Sequence, residues 1–130
     1  MRFREAVAAE FGRRREHNQR YSLRAFARAM GVHHATLSRL LNGDQPVQAR
    51  TIGALGSKLR LSPPQVAAMI ALEDAAAVAA GIARPSFRPD SRWLASVAGI
   101  SVDRVNIAIE LLLRRGQLRM PAANRWQLTP

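Results

Sequence analysis

The chain has 130 residues, of which 48% are hydrophobic, and its formal net charge is +11 at pH 7. This length suits one domain or two very small ones, and the apolar content excludes wholesale disorder. Because the sequence contains no cysteine, disulfides, a thiol nucleophile and cysteine-ligated zinc are excluded.

The positive charge is almost entirely arginine, since Lys58 is the one lysine. Twelve basic and four acidic side chains lie within residues 1–62, against eight and five within residues 63–130. Guanidinium groups fit phosphates and guanine edges, so this excess predicts a polyanionic partner. Charge alone leaves a second interpretation open, an ordinary solvated surface in an arginine-rich protein.

The N-terminal sequence MRFREAVAAEFGRRRE carries charge throughout, so it is not expected to be a secretory signal. The longest apolar stretch, Val66 to Leu72, is too short to span a bilayer. We therefore expect a cytoplasmic protein.

Residues Arg2 to about His17 are predicted to form the first helix. Phe3, Val7 and Phe11 recur there at helical spacing and form an apolar stripe. We expect this stripe to pack beneath the helices that follow.

The stretch from Ser22 to Gly43, SLRAFARAMGVHHATLSRLLNG, has the pattern of two short helices separated by a tight turn. Apolar residues lie at helical spacing on both sides of Gly31. Gly31 stands where the chain needs a positive φ, and Ala27 is small where two helices would cross closely. The pattern therefore places the residues just past Gly31 on the outer side of the second helix.

Two further helices are predicted before a linker. Gln48 to Arg60 are expected to form the fourth helix, and Ser62 is expected to cap a fifth that continues to Gly81. Part of the apolar face of the fifth helix should complete the first core, and any remainder is available for dimerisation. Residues 83–89 contain two prolines without periodicity and are predicted to be the linker.

The same spacing returns after the linker, since Ala95, Gly99, Ile100 and Val105 sit 68 residues after Ala27, Gly31, Val32 and Leu37. A helix closing at residues 114–116 is expected to follow. Residues 117–120 and 125–128 then alternate polar with apolar side chains, which predicts a short β-hairpin.

Two families share these patterns. The Ser22–Gly43 stretch, with Asp44 to Pro46 after it, resembles the DNA-binding helix-turn-helix of the lambda-repressor-like (Cro-type) family; the match rests on Ala27, Gly31, Val32, Leu37 and the ending LSRLLNG. It covers roughly residues 1–80. The phrase ELLLRRGQLRM…RWQLTP is similar to the segment that joins helix to wing in many bacterial winged-helix regulators.

Together these resemblances imply a mainly α protein with two domains. Residues 1–82 are expected to form a five-helix lambda-repressor-like helix-turn-helix domain. After the linker at 83–89, residues 90–130 are expected to form a small winged-helix domain with a short β-hairpin.

In the lambda-repressor-like family the second helix enters the major groove and reads base edges. The resemblance therefore implies base-reading residues on that helix and backbone contacts around it. The base-reading candidates are His33, His34, Thr36, Ser38 and Arg39, and the backbone candidates are Arg24, Arg28, Asn42 and Arg50.

His33 and His34 also raise the hypothesis of a metal site. No cysteine or nearby carboxylate completes such a site, and neighbouring side chains on a helix point in different directions. We therefore expect neither a metal nor any other cofactor. His33 is alternatively a residue at the helix start without a DNA contact.

The second helix-turn-helix pattern is poor in cations, because Asp103 offsets Arg104 and Ile107 occupies the position equivalent to Arg39. Arg104, and in the wing Arg119 and Arg125, are its candidate DNA contacts. Dimerisation or docking to another protein is the alternative for this half.

The sequence shows no Gly-rich phosphate loop and no carboxylate pair placed for acid–base chemistry, so an enzyme is not expected. The resemblance implies a sequence-specific transcriptional regulator of a bacterium or phage, bound to double-stranded DNA at the nucleoid as a homodimer on a pseudo-palindromic operator. Two alternatives remain. One is a protein-interaction adaptor or antitoxin-like anti-regulator that holds a partner with its winged half; the other is an architectural protein without sequence preference.

Overall fold

A computed structural model describes residues 1–43 and 45–129 of the chain. Asp44, in the loop of the first resemblance, and Pro130, the end of the predicted second domain, lie outside the described residues. The described residues form seven helices and one antiparallel pair of strands. The elements are α1 (Phe3–His17), α2 (Leu23–Met30), α3 (His34–Asn42), α4 (Ala49–Gly56), α5 (Pro63–Ile82), α6 (Ser91–Ala98), α7 (Val102–Arg114), β1 (Leu118–Ala122) and β2 (Arg125–Leu128).

The contacts divide the chain into two compact units, Met1–Ile70 and Ala71–Pro130. Each unit has its own apolar core. The first core is built from Phe3, Val7, Phe26, Ala27, Met30, Leu37, Leu40, Ile52, Leu55 and Met69. The second is built from Ala75, Val78, Ile82, Leu94, Ala95, Val105, Ala108, Ile109, Leu112 and Leu118.

The boundary between the units lies within α5, whereas the sequence prediction placed it at residues 83–89. Met69 is buried in the first core, but Val78 and Ile82 are buried in the second. The five-helix count for the first domain is therefore not exact, because α5 contributes to both units. The predicted linker also packs, since the ring of Phe87 lies against that of Trp93 at a centroid distance of 6.0 Å.

By length and composition alone, α5 is apolar enough to cross a membrane, with a mean hydropathy of 1.5. The longest apolar stretch identified from the sequence, Val66 to Leu72, is only part of this helix. Glu73, Asp74 and Val78 are nevertheless buried inside the protein. The protein buries 39% of the 18-residue window, and burial of two acidic side chains against protein is more typical of a core helix than of one that faces lipid.

Helix α4 ends four residues earlier than predicted. Arg60 adopts a left-handed conformation with φ +58°, and the backbone N–H of Leu61 returns to the carbonyl of Gly56 at 3.0 Å. This closing bond satisfies a terminal carbonyl and turns the chain away from the helix axis. Leu59 and Leu61 still pack against the first core, so the apolar periodicity continued past the end of the helix.

In the second unit, α6 and α7 are joined by a turn at Gly99, whose φ is +70°. Ser101 caps α7 by accepting the backbone N–H of Arg104 at 3.2 Å. The hairpin follows, with Leu118 paired to Leu128, and β1 extends through Pro121 into the segment predicted as the turn. The register shifts between Arg119 and Ala122, which accommodates a proline that lacks an N–H.

Candidate nucleic-acid interface

The turn between α2 and α3 fixes which side of α3 is left outside. Ser22 begins α2 by accepting the N–H of Ala25 at 3.0 Å, and Gly31 ends it with φ +74°. The N–H of Val32 then bonds the carbonyl of Ala27 at 3.0 Å. Because Leu37 is fully buried, the opposite side of α3 faces outward.

The first groove beside α3 has a volume of about 280 Å³ and brings together side chains from α2 and the start of α3. Arg24, Arg28, His33 and His34 all line it. The positive charge of Arg24 lowers the pKa of His34 from its ordinary value of 6.5, with smaller contributions from desolvation and from His33. The groove therefore has the electrostatic character that favours an anion.

His33 is the N-cap of α3. Its Nδ1 accepts the backbone N–H of Ala35 at 3.2 Å, and its ring lies 4.5 Å from that of His34. His33 thus occupies the helix-start position that the sequence offered as the alternative to a DNA contact. Of its two ring nitrogens, only Nε2 is left to face a ligand. Across residues 1–43 and 45–129, no group of three or more His, Cys, Asp or Glu side chains is placed to hold a metal ion.

A second, larger groove of about 580 Å³ is lined by later residues of α3 and by residues that follow it in the chain. It brings together four of the predicted residues, Thr36, Ser38, Arg39 and Asn42. The amide of Asn42 donates to the hydroxyl of Ser38 at 3.3 Å, so a predicted backbone contact and a predicted base reader lie side by side. Arg39 lies in the last turn of α3 rather than in its first half, and Arg50 is exposed on α4 without lining either groove.

The second groove also contains residues that the sequence analysis did not identify. Gln45, Gln48 and Thr51 come from the loop after α3 and the start of α4, and Arg4 comes from α1. Nε of Arg4 donates to the carbonyl of Leu40 at 2.6 Å, and Nη2 donates to that of Gln45 at 2.6 Å. No local pattern signals this role, because Arg4 is 36 residues from Leu40 in the chain.

In the second unit, Arg104 is not a free cation. Its Nε and Nη2 donate to the two carboxylate oxygens of Asp74 at 2.8 and 2.6 Å. This bidentate pairing raises the pKa of Arg104, which keeps the guanidinium charged and occupied. Arg104 is thus engaged with Asp74, whereas Arg119 and Arg125 are exposed on the hairpin; contact of these three residues with DNA stays a prediction.

The comparison with protein families agrees with the geometry of the first unit. Residues 6–69, about half of the chain, match the model of a family described as a helix-turn-helix domain. The matched range includes α2, α3 and the predicted DNA-binding residues that line the two grooves. It does not include Arg4. No curated protein and no solved structure matches the chain. The chain thus carries a helix-turn-helix domain, which supports a DNA-binding regulator.

Proposed function

We propose that this protein is a sequence-specific regulator of transcription, of the Cro-type helix-turn-helix class, that binds double-stranded DNA. It acts by binding, without enzymatic activity or a cofactor, in the cytoplasm of a bacterium or in cells that carry a phage. One observation carries the proposal: polar side chains of α3 line two surface grooves together with arginines. Arg24 and Arg28 line the first groove, and Arg39 lines the second.

Roles follow from chemistry and position. Thr36, Ser38 and Arg39 read base edges in the major groove, with Arg39 suited to guanine. His34 joins them from the first groove, and His33 contributes through Nε2. The residues that hold phosphates and set the orientation of α3 are Arg24, Arg28, Asn42 and Arg50.

The second unit is proposed to be a winged-helix domain, because a helix-turn-helix pair is followed directly by an antiparallel hairpin. Arg119 and Arg125 are exposed on that hairpin and are suited to phosphate. The protein is proposed to bind as a homodimer on a pseudo-palindromic site at the nucleoid. In such complexes the two reading helices lie about 34 Å apart, one turn of the duplex.

The test is selection of bound fragments from a random pool of duplexes by the full chain. The proposal predicts one enriched motif with two-fold symmetry, and Arg39→Ala should relax that motif at one position in each half. Equal retention of all fragments at moderate salt would support an architectural protein instead.

A protein-interaction adaptor, including an antitoxin-like anti-regulator, is the second candidate. Apolar side chains exposed on α7 favour it, since they suit a protein more than a phosphate backbone. This candidate would be supported if the duplex selection enriches no motif and one different protein co-purifies with the chain in stoichiometric amount.

A further inference from the structure

Exposed apolar side chains are concentrated on α7. Among residues 1–43 and 45–129, four large hydrophobic side chains are exposed, and three of them are on this helix. Val102 is 37% exposed, Ile107 57% and Leu113 40%. Isolated apolar residues on a surface are ordinary. At 3.6 residues per turn, Val102 and Leu113 lie about 120–140° around α7 from Ile107, so Ile107 is the one of the three on the outer face opposite the core.

The outer face of α7 differs chemically from the corresponding face of α3. With the 68-residue offset, Ile107 takes the place of Arg39, and Glu110 takes the place of Asn42. The guanidinium of Arg104 is held by Asp74, and Asp103 is exposed in the first turn. This face carries two carboxylates against one guanidinium, with an isoleucine between them, so a protein surface suits it better than DNA.

The charges along this face are self-complementary. Asp103, Ile107, Glu110 and Arg114 follow one another at intervals of four, three and four residues, which aligns them on one side of the helix. The acidic residue is at the N-terminal end and the basic residue at the C-terminal end. An antiparallel copy of the same helix therefore places Asp103 opposite Arg114, while Ile107 meets Glu110.

We propose that α7 binds α7 of a second copy in an antiparallel pair, around a two-fold axis between residues 108 and 109. Asp103 then lies opposite Arg114 of the second copy, and Ile107 packs on the aliphatic part of Glu110 of the second copy. The symmetry makes each contact twice. Within one chain, Glu110 already lies 3.6 Å from Arg114, so association places the guanidinium between two carboxylates.

This inference deepens the proposed function, because it supplies the surface for the proposed homodimer. It is tested without DNA, so its failure is distinct from failure of sequence-specific binding. A chain that stays monomeric but still enriches a motif from the duplex pool would overturn the α7 pairing alone. A dimer that enriches no motif would be compatible with the α7 pairing and would overturn the proposal of a sequence-specific regulator.

The experiment is sedimentation equilibrium of the full chain and its variants, with circular dichroism to confirm folding. The wild type is expected to be a dimer, and Ile107→Glu should raise the dimer dissociation constant at least about tenfold. Asp103→Arg and Arg114→Asp should each weaken association, because like charges then face each other. The double variant should restore it. Arg92→Asp, a charge change at an exposed position of α6, is the matched control and should leave the dimer unchanged.

Three results would overturn the proposal. The first is a wild type that remains monomeric at high micromolar concentration, whether alone or bound to a different protein. The second is a dimer that Ile107→Glu leaves intact, since the interface would then lie elsewhere. The third is a folded charge-swapped double variant that stays as weak as the single variants, which would exclude the antiparallel register.

Discussion

Arg4 and Leu40 are joined by a hydrogen bond that ties the first helix of the chain to the end of α3. Nε of Arg4 donates to the carbonyl of Leu40 at 2.6 Å, while Nη2 holds the carbonyl of Gln45 at the same distance. Carbonyls at the end of a helix lack partners within it, so a cation is well placed there. Arg4 thereby fixes the loop that forms one wall of the second groove.

Arg4→Met is expected to lower the free energy of unfolding by about 1–3 kcal/mol, because it leaves two carbonyls without their charged donor. The measurement is urea denaturation followed by circular dichroism. Arg4→Lys is the matched control and should recover only part of the loss, since one ammonium cannot reproduce the two-armed geometry. Full stability in Arg4→Met would show that these bonds contribute nothing net.

Arg39→Ala is expected to cost about 1–3 kcal/mol of binding free energy on the cognate site. The preference for one base pair in each half-site should relax, because the bidentate donor to that base is removed. Titration of the cognate duplex and of single-base variants measures both effects. An unchanged footprint and affinity would contradict the assigned role.

Arg28→Ala is expected to weaken binding to all duplexes alike, since a phosphate contact carries no sequence information. The slope of log affinity against log salt should become shallower by about one unit. Arg13→Ala is the matched control, because Arg13 already pairs with Glu10 and should leave the slope unchanged. A loss confined to particular sequences would contradict a backbone role for Arg28.

His34 is expected to make DNA affinity depend on pH. Arg24 lowers the pKa of His34 below 6.5 in the free protein, and a nearby phosphate would raise it, so binding takes up a proton. Affinity should therefore rise as the pH falls through the pKa of His34 in the complex toward the lower pKa of the free protein. At constant ionic strength His34→Gln should lose this dependence, and an equal dependence in both proteins would place its origin elsewhere.

The same lowered pKa has the opposite consequence for folding. The unfolded chain binds the His34 proton more readily than the folded chain, so protonation opposes folding. The contribution of His34 to stability is full above 6.5 and is lost as the pH falls through the lower, folded-state pKa. Denaturant titrations measure this effect. As the pH is lowered, the free energy of unfolding of the wild type should fall more than that of His34→Gln.

Asp74→Asn is expected to destabilise the second unit by about 1–3 kcal/mol, because Arg104 loses its charged partner. The side chain of Arg104 is 36% exposed, which keeps this cost below that of a fully buried pair. Thermal and urea denaturation measure it. Arg104→Ala should likewise affect stability without altering base preference; a change in the selected DNA motif would instead support Arg104 as a DNA contact.

Local patterns predicted the helix starts better than the helix ends and the unit boundary. Ser62, the predicted cap of the fifth helix, accepts the backbone N–H of Gln65. Ser22, Asp90 and Ser101 begin their helices in the same way, as short polar side chains do. The predicted end of α4 was wrong because the apolar spacing of the sequence continues past Gly56, where the helix ends. The sequence prediction placed all of α5 in the first domain, whereas its residues are buried in two different cores. The sequence of a helix does not reveal against which core each of its turns packs.

The sequence by itself determined the helix-turn-helix. Gly31, Leu37 and the apolar stripes specify that element through a turn with positive φ and through apolar spacing at the helical period, which are properties of the local sequence. Only the tertiary structure decided what each charged side chain does, because a guanidinium at one position can meet solvent, a carbonyl or a carboxylate. Arg104 reached Asp74 and Arg4 reached Leu40 across 30 and 36 residues, and such distant partners are set by how helices pack.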